Sequence, residues 1–242
     1  GEWIFGLQGM NLWNVEEATW GYRFVEKAPM DRYGFASAAD MGLGFKRNVG
    51  RHLRLHATLT NGPGFKSAEN DRFKRFAAQL LYGPNNLSRT RGFNAGAALS
   101  LEPAEVFAAS NGADTASQAP STEIQPLLSL FFGLSSAAFR VGAEFDRYTP
   151  ASLSPKTQQI IAAYGNLRLR PQLSLFGRVD YYDAQAGVAG ENDREIYLII
   201  GLKYAAGEGF FLAPNLRLRN AAGSPLAEIG VSSAHVNLTF TH

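Results

Sequence analysis

The 242-residue chain has no cysteine, which excludes a disulfide framework, a thiolate zinc site and a thiol nucleophile. It also lacks any apolar run approaching the roughly 18–20 residues that a membrane helix needs. A helical membrane protein is therefore excluded, and mean hydropathy is a bland −0.14. Charge of one sign is scarce too. The formal net charge of +2 gives no electrostatic signal for nucleic acid. Four histidines, His52, His56, His235 and His242, have neither helical nor convergent spacing, so no metal site is read and no cofactor is expected. No leader peptide is visible either, since residue 1 already reads as the start of a strand; an exported chain would be a mature form or a piece of one.

What is present is β-forming. Hydrophobic residues make up 45% and aromatics 12%, with 17 Phe, 9 Tyr and 25 Gly. The stretch RHLRLHATLTNG alternates Leu53, Leu55, Ala57 and Leu59 with Arg54, His56, Thr58 and Thr60. That is a strand with one apolar and one polar face. In a soluble sandwich the apolar face points inward; in an outer-membrane barrel it faces lipid and the polar face meets a wet lumen.

Twelve strands are predicted, near 3–11, 35–47, 51–61, 73–83, 88–101, 123–133, 137–147, 158–170, 173–183, 194–205, 209–219 and 227–241. Their connections alternate. Tight turns follow strands 2, 4, 6, 8 and 10 (NVG, PNNL, SSA, PQ and AGEG), and longer loops follow the others. Short turns on one rim and long loops on the other is the outer-membrane pattern, which Greek-key crossovers have no reason to keep. The faces agree: Phe139, Val141, Ala143 and Phe145 oppose Arg140, Glu144 and Asp146, while Leu216 and Leu218 oppose Arg217 and Arg219. The expected fold is an all-β, closed antiparallel transmembrane β-barrel, residues 1–242 forming one domain, with strand 1 pairing strand 12. Alternation slips between Val231 and Ala234, predicting a bulge near Ser232 and Ser233. Aromatic girdles are expected from Trp3, Tyr82, Phe132, Phe145, Tyr181, Tyr204, Phe210 and Phe240. Of the long loops, 12–34 carries enough apolar surface to order itself, whereas 102–122, rich in Ala, Ser and Asp, is expected to be mobile. Either is long enough to fold inward and narrow the bore.

GLQG, followed by WGYRFVEKAPMDRYGFASAADMGLGFK and ATLTNGPGFKSAENDRFKRFAAQLLYGP, resembles the phosphate-selective porin O/P-like family of bacterial porins over residues 5–84. The resemblance implies an outer-membrane channel and a parent barrel of up to sixteen strands; an even count with both ends on one rim favours twelve.

On predicted inward positions, Lys46, Arg54, Arg75, Arg89, Arg91, Arg140, Arg168, Arg170, Arg178, Lys203, Arg217 and Arg219 face only Asp40, Glu144, Asp146, Asp180 and Glu195. Setting aside Lys46, Arg89, Arg170 and Lys203 near the turn rim, the excess is still positive. The predicted pore lining is Arg54, His56, Arg75, Arg91, Arg140, Glu144, Asp146, Arg168, Arg178, Asp180, Arg217 and Arg219. Such a wall concentrates anions, mildly because the acids offset it. The expected function is a passive diffusion channel for small hydrophilic solutes, with no catalysis. Its expected surroundings are outer-membrane lipid, anionic solutes, and further copies or a larger membrane complex, without nucleic acid. Two alternatives stay open: a plugged structural or complex-forming barrel, and a lipid-facing hydrolase using Ser233 and His235. NGPGFKS lacks the full phosphate-loop spacing and leads into a strand, so it reads as a loop.

Overall fold

The computed structural model describes residues 1–66, 72–107, 120–188, 193–221 and 231–240. Twelve strands form one antiparallel sheet in which every strand pairs with its sequence neighbours. They are β1 Glu2–Gly9, β2 Ala39–Val49, β3 Leu53–Thr60, β4 Arg75–Tyr82, β5 Gly92–Val106 and β6 Ser121–Ser135. The series continues with β7 Phe139–Tyr148, β8 Gln158–Arg170, β9 Leu173–Asp183, β10 Arg194–Gly207, β11 Phe210–Ala221 and β12 Val231–Phe240. Two short helices, α1 Asn14–Trp20 and α2 Pro29–Arg32, lie between β1 and β2.

The faces are inverted relative to a soluble sandwich. Along β6, Leu128, Leu130, Phe132 and Leu134 are 37–49% exposed, while Ser129 between them is fully buried. In β3 the same rule leaves Leu59 exposed and buries His56, Thr58 and Thr60. Period-two alternation is thus satisfied with the apolar set outward, the arrangement that lipid stabilises and water does not. At the short-turn rim Trp3 packs on Phe45 with centroids 4.7 Å apart, and Tyr82 stacks on Phe93 at 5.5 Å. Phe132, Tyr204 and Phe210 lie within a few residues of short turns, and Phe145 and Tyr181 near long loops. The side chain of Phe240 falls outside the description.

Three expectations need adjustment. The turn after β4 is not tight but runs from 83 to 91. Gly83 takes a left-handed φ of 92°, and Asn86 then caps a coil by accepting bonds from the Ser88 amide and hydroxyl. The β5–β6 hairpin is longer than expected, its ladder reaching Val106↔Ser121, so the 102–122 loop shrinks to its tip. Residues 108–119, on which the expected mobility rests, lie outside the description. Strand β1 and strand β12 are not paired with each other among the described residues, so the closure expected from strand parity is not seen. The bulge falls where the pattern slips: register passes from Arg217↔Ser233 to Leu218↔Val231, leaving Ser232 as the extra residue.

Candidate functional site: the inward-folded segment

The link between β1 and β2 does not stay on the rim. The Met10 amide donates to the Ala38 carbonyl at 3.0 Å, so the segment leaves and returns at one point. Between those residues it enters the bore. Its apolar positions are too many to stay solvated, and Met10, Leu12, Trp13, Val15, Trp20, Tyr22, Val25, Met30 and Phe35 are all buried. Helix α1 stops at Gly21, which adopts φ 68° and returns its amide to the Glu17 carbonyl at 2.8 Å. Pro29 occupies the first turn of α2, where its missing N–H costs nothing.

The segment packs mainly against the wall made by β6 to β11, with further contacts on β3 and β4, where Asn11 donates to the His56 carbonyl at 2.6 Å and Gln79 donates to Asn14 at 3.1 Å. Trp20 meets Tyr164 and Phe176 edge-on, and Tyr22 stacks on Phe176 at 4.5 Å. Tyr33 stacks on Tyr182 at 4.4 Å. Val15 sits with Leu81 and Phe131.

Polar contacts fix the same face, and here most of the predicted lining residues are found. Arg140 donates to the Trp20 carbonyl at 2.9 Å. Arg178 forks onto Asp180, Nε to Oδ1 at 2.7 Å, and donates to the Lys27 carbonyl. Arg217 reaches Glu26 at 3.0 Å and the Val25 carbonyl at 2.7 Å. Arg219 and Arg32 converge on Glu195, while Arg75 is held by Glu102. These arginines therefore do not present a free positive wall. Asp180 and Glu195, both in the lumen census, pair Arg178 and Arg219, while Glu102 and Glu26, which sequence reasoning left out of it, pair Arg75 and Arg217. No periodicity in a loop says which way its charges face. The other basic candidates behave differently: Arg54, Arg91 and Arg168 are exposed near the short-turn rim.

Glu16 is buried with Glu144 and Asp146 facing the same interior. Ser129 donates to Glu16 at 3.2 Å and Tyr164 to Glu144 at 3.3 Å. Burial raises the Glu16 carboxyl well above its ordinary value, and the nearby Asp146 adds to the rise. Tyr22 is pushed up to about 12, also by burial. Among the described residues no three acidic or imidazole side chains are placed as metal ligands.

Open cavities flank the segment. One of about 690 Å³ at the long-loop rim is lined by Asp31 and Ser37 of the segment, Arg75 of β4, Glu102 of β5, Gln125 of β6 and Tyr148 of β7. A second, about 290 Å³, lies between Gln8, Asn14, Glu17, Arg23, Lys46 and His56. It shares Asn14, Lys46 and His56 with a third, about 400 Å³, at the short-turn rim, where Arg47 and Arg54 join the lining. The Arg23–Asp31 ion pair (3.5 Å) links the linings of the first and second.

Ser233 and His235 do meet, at 2.6 Å. They share the inward face of β12 with Asn237, which donates to the Phe24 carbonyl, while Val236 and Leu238 hold the lipid side. A lipid-facing hydrolase is therefore not what this pair forms.

Inverted strand faces on a twelve-stranded antiparallel sheet define an outer-membrane β-barrel protein, and the chain belongs in the outer membrane. Among solved structures it is similar to OmpTdeltaL8, a loop L8 deletion mutant of OmpT, an outer membrane protein of Vibrio cholerae. The TM-score is 0.62 at 12% identity, over 98% of this chain and 73% of that one. No family model and no curated protein matches the chain, so the resemblance to phosphate-selective porins is carried by its motifs alone. The expectation of no enzymatic activity is withdrawn. It rested on reading the bore as an inert, arginine-lined tube. The structure instead shows arginines tied to an inserted segment beside three buried carboxylates, in a fold class whose architecture does not exclude catalysis.

Proposed function

We propose that the chain is a passive diffusion channel of the outer membrane, in which the segment 10–38 is the constriction. The observation that carries this reading is the uneven seat of the segment. Its aromatic contacts and most of its ion pairs to the wall fall on β6–β11. Toward β1–β4 it is held by Asn11 on the His56 carbonyl and Thr58, Asn14 on Gln79, and apolar contacts such as Val15 on Leu81, with open cavities beside those contacts. Small hydrophilic solutes pass along that side. The cations lining it, Arg23, Lys46, Arg47 and Arg54, outnumber the acids Glu2 and Glu17 at the short-turn end, which favours anions mildly. The motif resemblance over residues 5–84 supports the same reading.

Liposome swelling tests it: purified protein in vesicles should admit small neutral sugars and exclude larger oligosaccharides. The filled interior around Trp20 favours a second reading, a barrel that stays plugged. Vesicles that admit no sugar of any size would establish that second reading in place of the first.

A further inference from the structure

Four arginines at the short-turn rim lack the carboxylate partner that Arg75, Arg178, Arg217 and Arg219 have elsewhere in the sheet. Arg89, Arg91, Arg140 and Arg168 have no carboxylate partner among the described residues. Together with Ser88 and Asn166 they wall a cavity of about 240 Å³.

Four pieces of chain build it, one of them the β6–β7 turn at Ser135 to Ala138. The unexpected 83–91 connection supplies Arg89 and Arg91, β7 supplies Arg140, and the end of β8 supplies Arg168. That connection is a fixed platform. Besides the Asn86 cap, the Thr90 amide and hydroxyl donate to the Asn86 carbonyl, and Asn94 donates to the Pro84 carbonyl at 2.9 Å. Leu87, fully buried, anchors it under the bore. Arg140 spends one nitrogen on the Trp20 carbonyl, yet its Nε is buried with no hydrogen-bond partner. Four like charges held around one small cavity repel unless an anion sits among them. Guanidinium forks suit an anion with several acceptor oxygens.

We propose that this cavity binds a small multivalent oxyanion, borne either by a dissolved solute or by the phosphate of a lipid headgroup at that rim. The site lies apart from the cavities lined by Lys46 and Arg54 and does not depend on the channel reading. Binding is measured by equilibrium dialysis of the purified protein in neutral detergent with inorganic phosphate. A parallel preparation passes through phosphatidylglycerol vesicles and is assayed for retained lipid. Phosphate should bind saturably, and the R91Q/R168Q double variant should weaken it about tenfold or more. Both residues are exposed, and unchanged thermal stability checks that the variant is folded. Lipid retained by the wild type and lost in the variant, without phosphate binding, assigns the anion to a headgroup. Neither ligand held, or either held equally by the variant, overturns the proposal. Conductance of the same preparation is read separately, so failure of the channel reading leaves this result standing.

Discussion

Gly133 and Gly142 stand directly opposite one another in the β6–β7 ladder, and Thr19 of α1 packs over both, alongside Asn94 and Leu87 at Gly133 and Tyr164 at Gly142. A Cβ built at either position would come within 2.9 Å of the Thr19 methyl, and at Gly142 it would also strike the Tyr164 ring. The glycines are needed for close approach, since neither takes a left-handed φ. They are part of the bed on which α1 lies.

Gly142→Val should therefore unseat the segment. Overpacking of this kind costs about 1–3 kcal/mol, enough to populate an alternative position of α1. The expected result is a larger and noisier single-channel conductance with a lowered melting temperature. Unchanged conductance with normal stability would mean that α1 does not set the bore.

The pairing of Arg178 with Asp180 is a stability feature, both side chains being wholly buried. Asp180→Ala strands a buried guanidinium and should cost about 3–5 kcal/mol, read by urea unfolding in micelles. A loss below about 1 kcal/mol would show that the Lys27 carbonyl and solvent suffice for Arg178.

Glu16 makes the seat of α1 pH-dependent. Its carboxyl is raised by burial, with Asp146 adding to the rise. A raised acid favours the folded state fully below the ordinary carboxylate range and loses that contribution as pH climbs through the raised value. Wild-type melting temperature should fall, as pH rises above the ordinary carboxylate range, more steeply than that of Glu16→Gln, whose amide cannot ionise. Parallel profiles would place the titration elsewhere.

Lipid-facing positions should be sensitive to depth. Leu130 lies well inside β6, whereas Leu169 is one residue from the end of β8. Leu130→Arg should cost about 2–4 kcal/mol and Leu169→Arg about 0–1. Equal costs in unfolding titrations would contradict the placement of the bilayer.

The strands were legible because alternation and turn residues spoke together. Pro171-Gln172 separates 158–170 from 173–183, and both spans are found as read. The slip before Ala234 likewise located a bulge. The 83–91 turn was misread, since Gly83-Pro84 marks a break without saying how far the next strand lies. The partners of the lumen arginines were only partly legible, Asp180 and Glu195 being counted and Glu102 and Glu26 not. Glu26, and the carbonyls of Trp20, Val25 and Lys27, belong to an irregular segment whose facing follows from packing, and packing of Trp20 against Phe176 is not written in any local period. Pairing partners across the bore therefore had to be seen.

In the proposed channel, solutes pass beside the inserted segment through the cavities lined by Lys46 and Arg54. The most direct measurement is the reversal potential of single channels in a planar bilayer under a potassium chloride gradient. Wild type should favour chloride mildly, and less so as salt shortens the Debye length below roughly 8 Å. Lys46→Glu with Arg54→Glu should move the potential toward potassium, while Arg217→Gln, whose charge is spent on Glu26, should leave it nearly unchanged. A potential that ignores the first pair and follows Arg217, or the absence of conductance at any salt, would contradict the account.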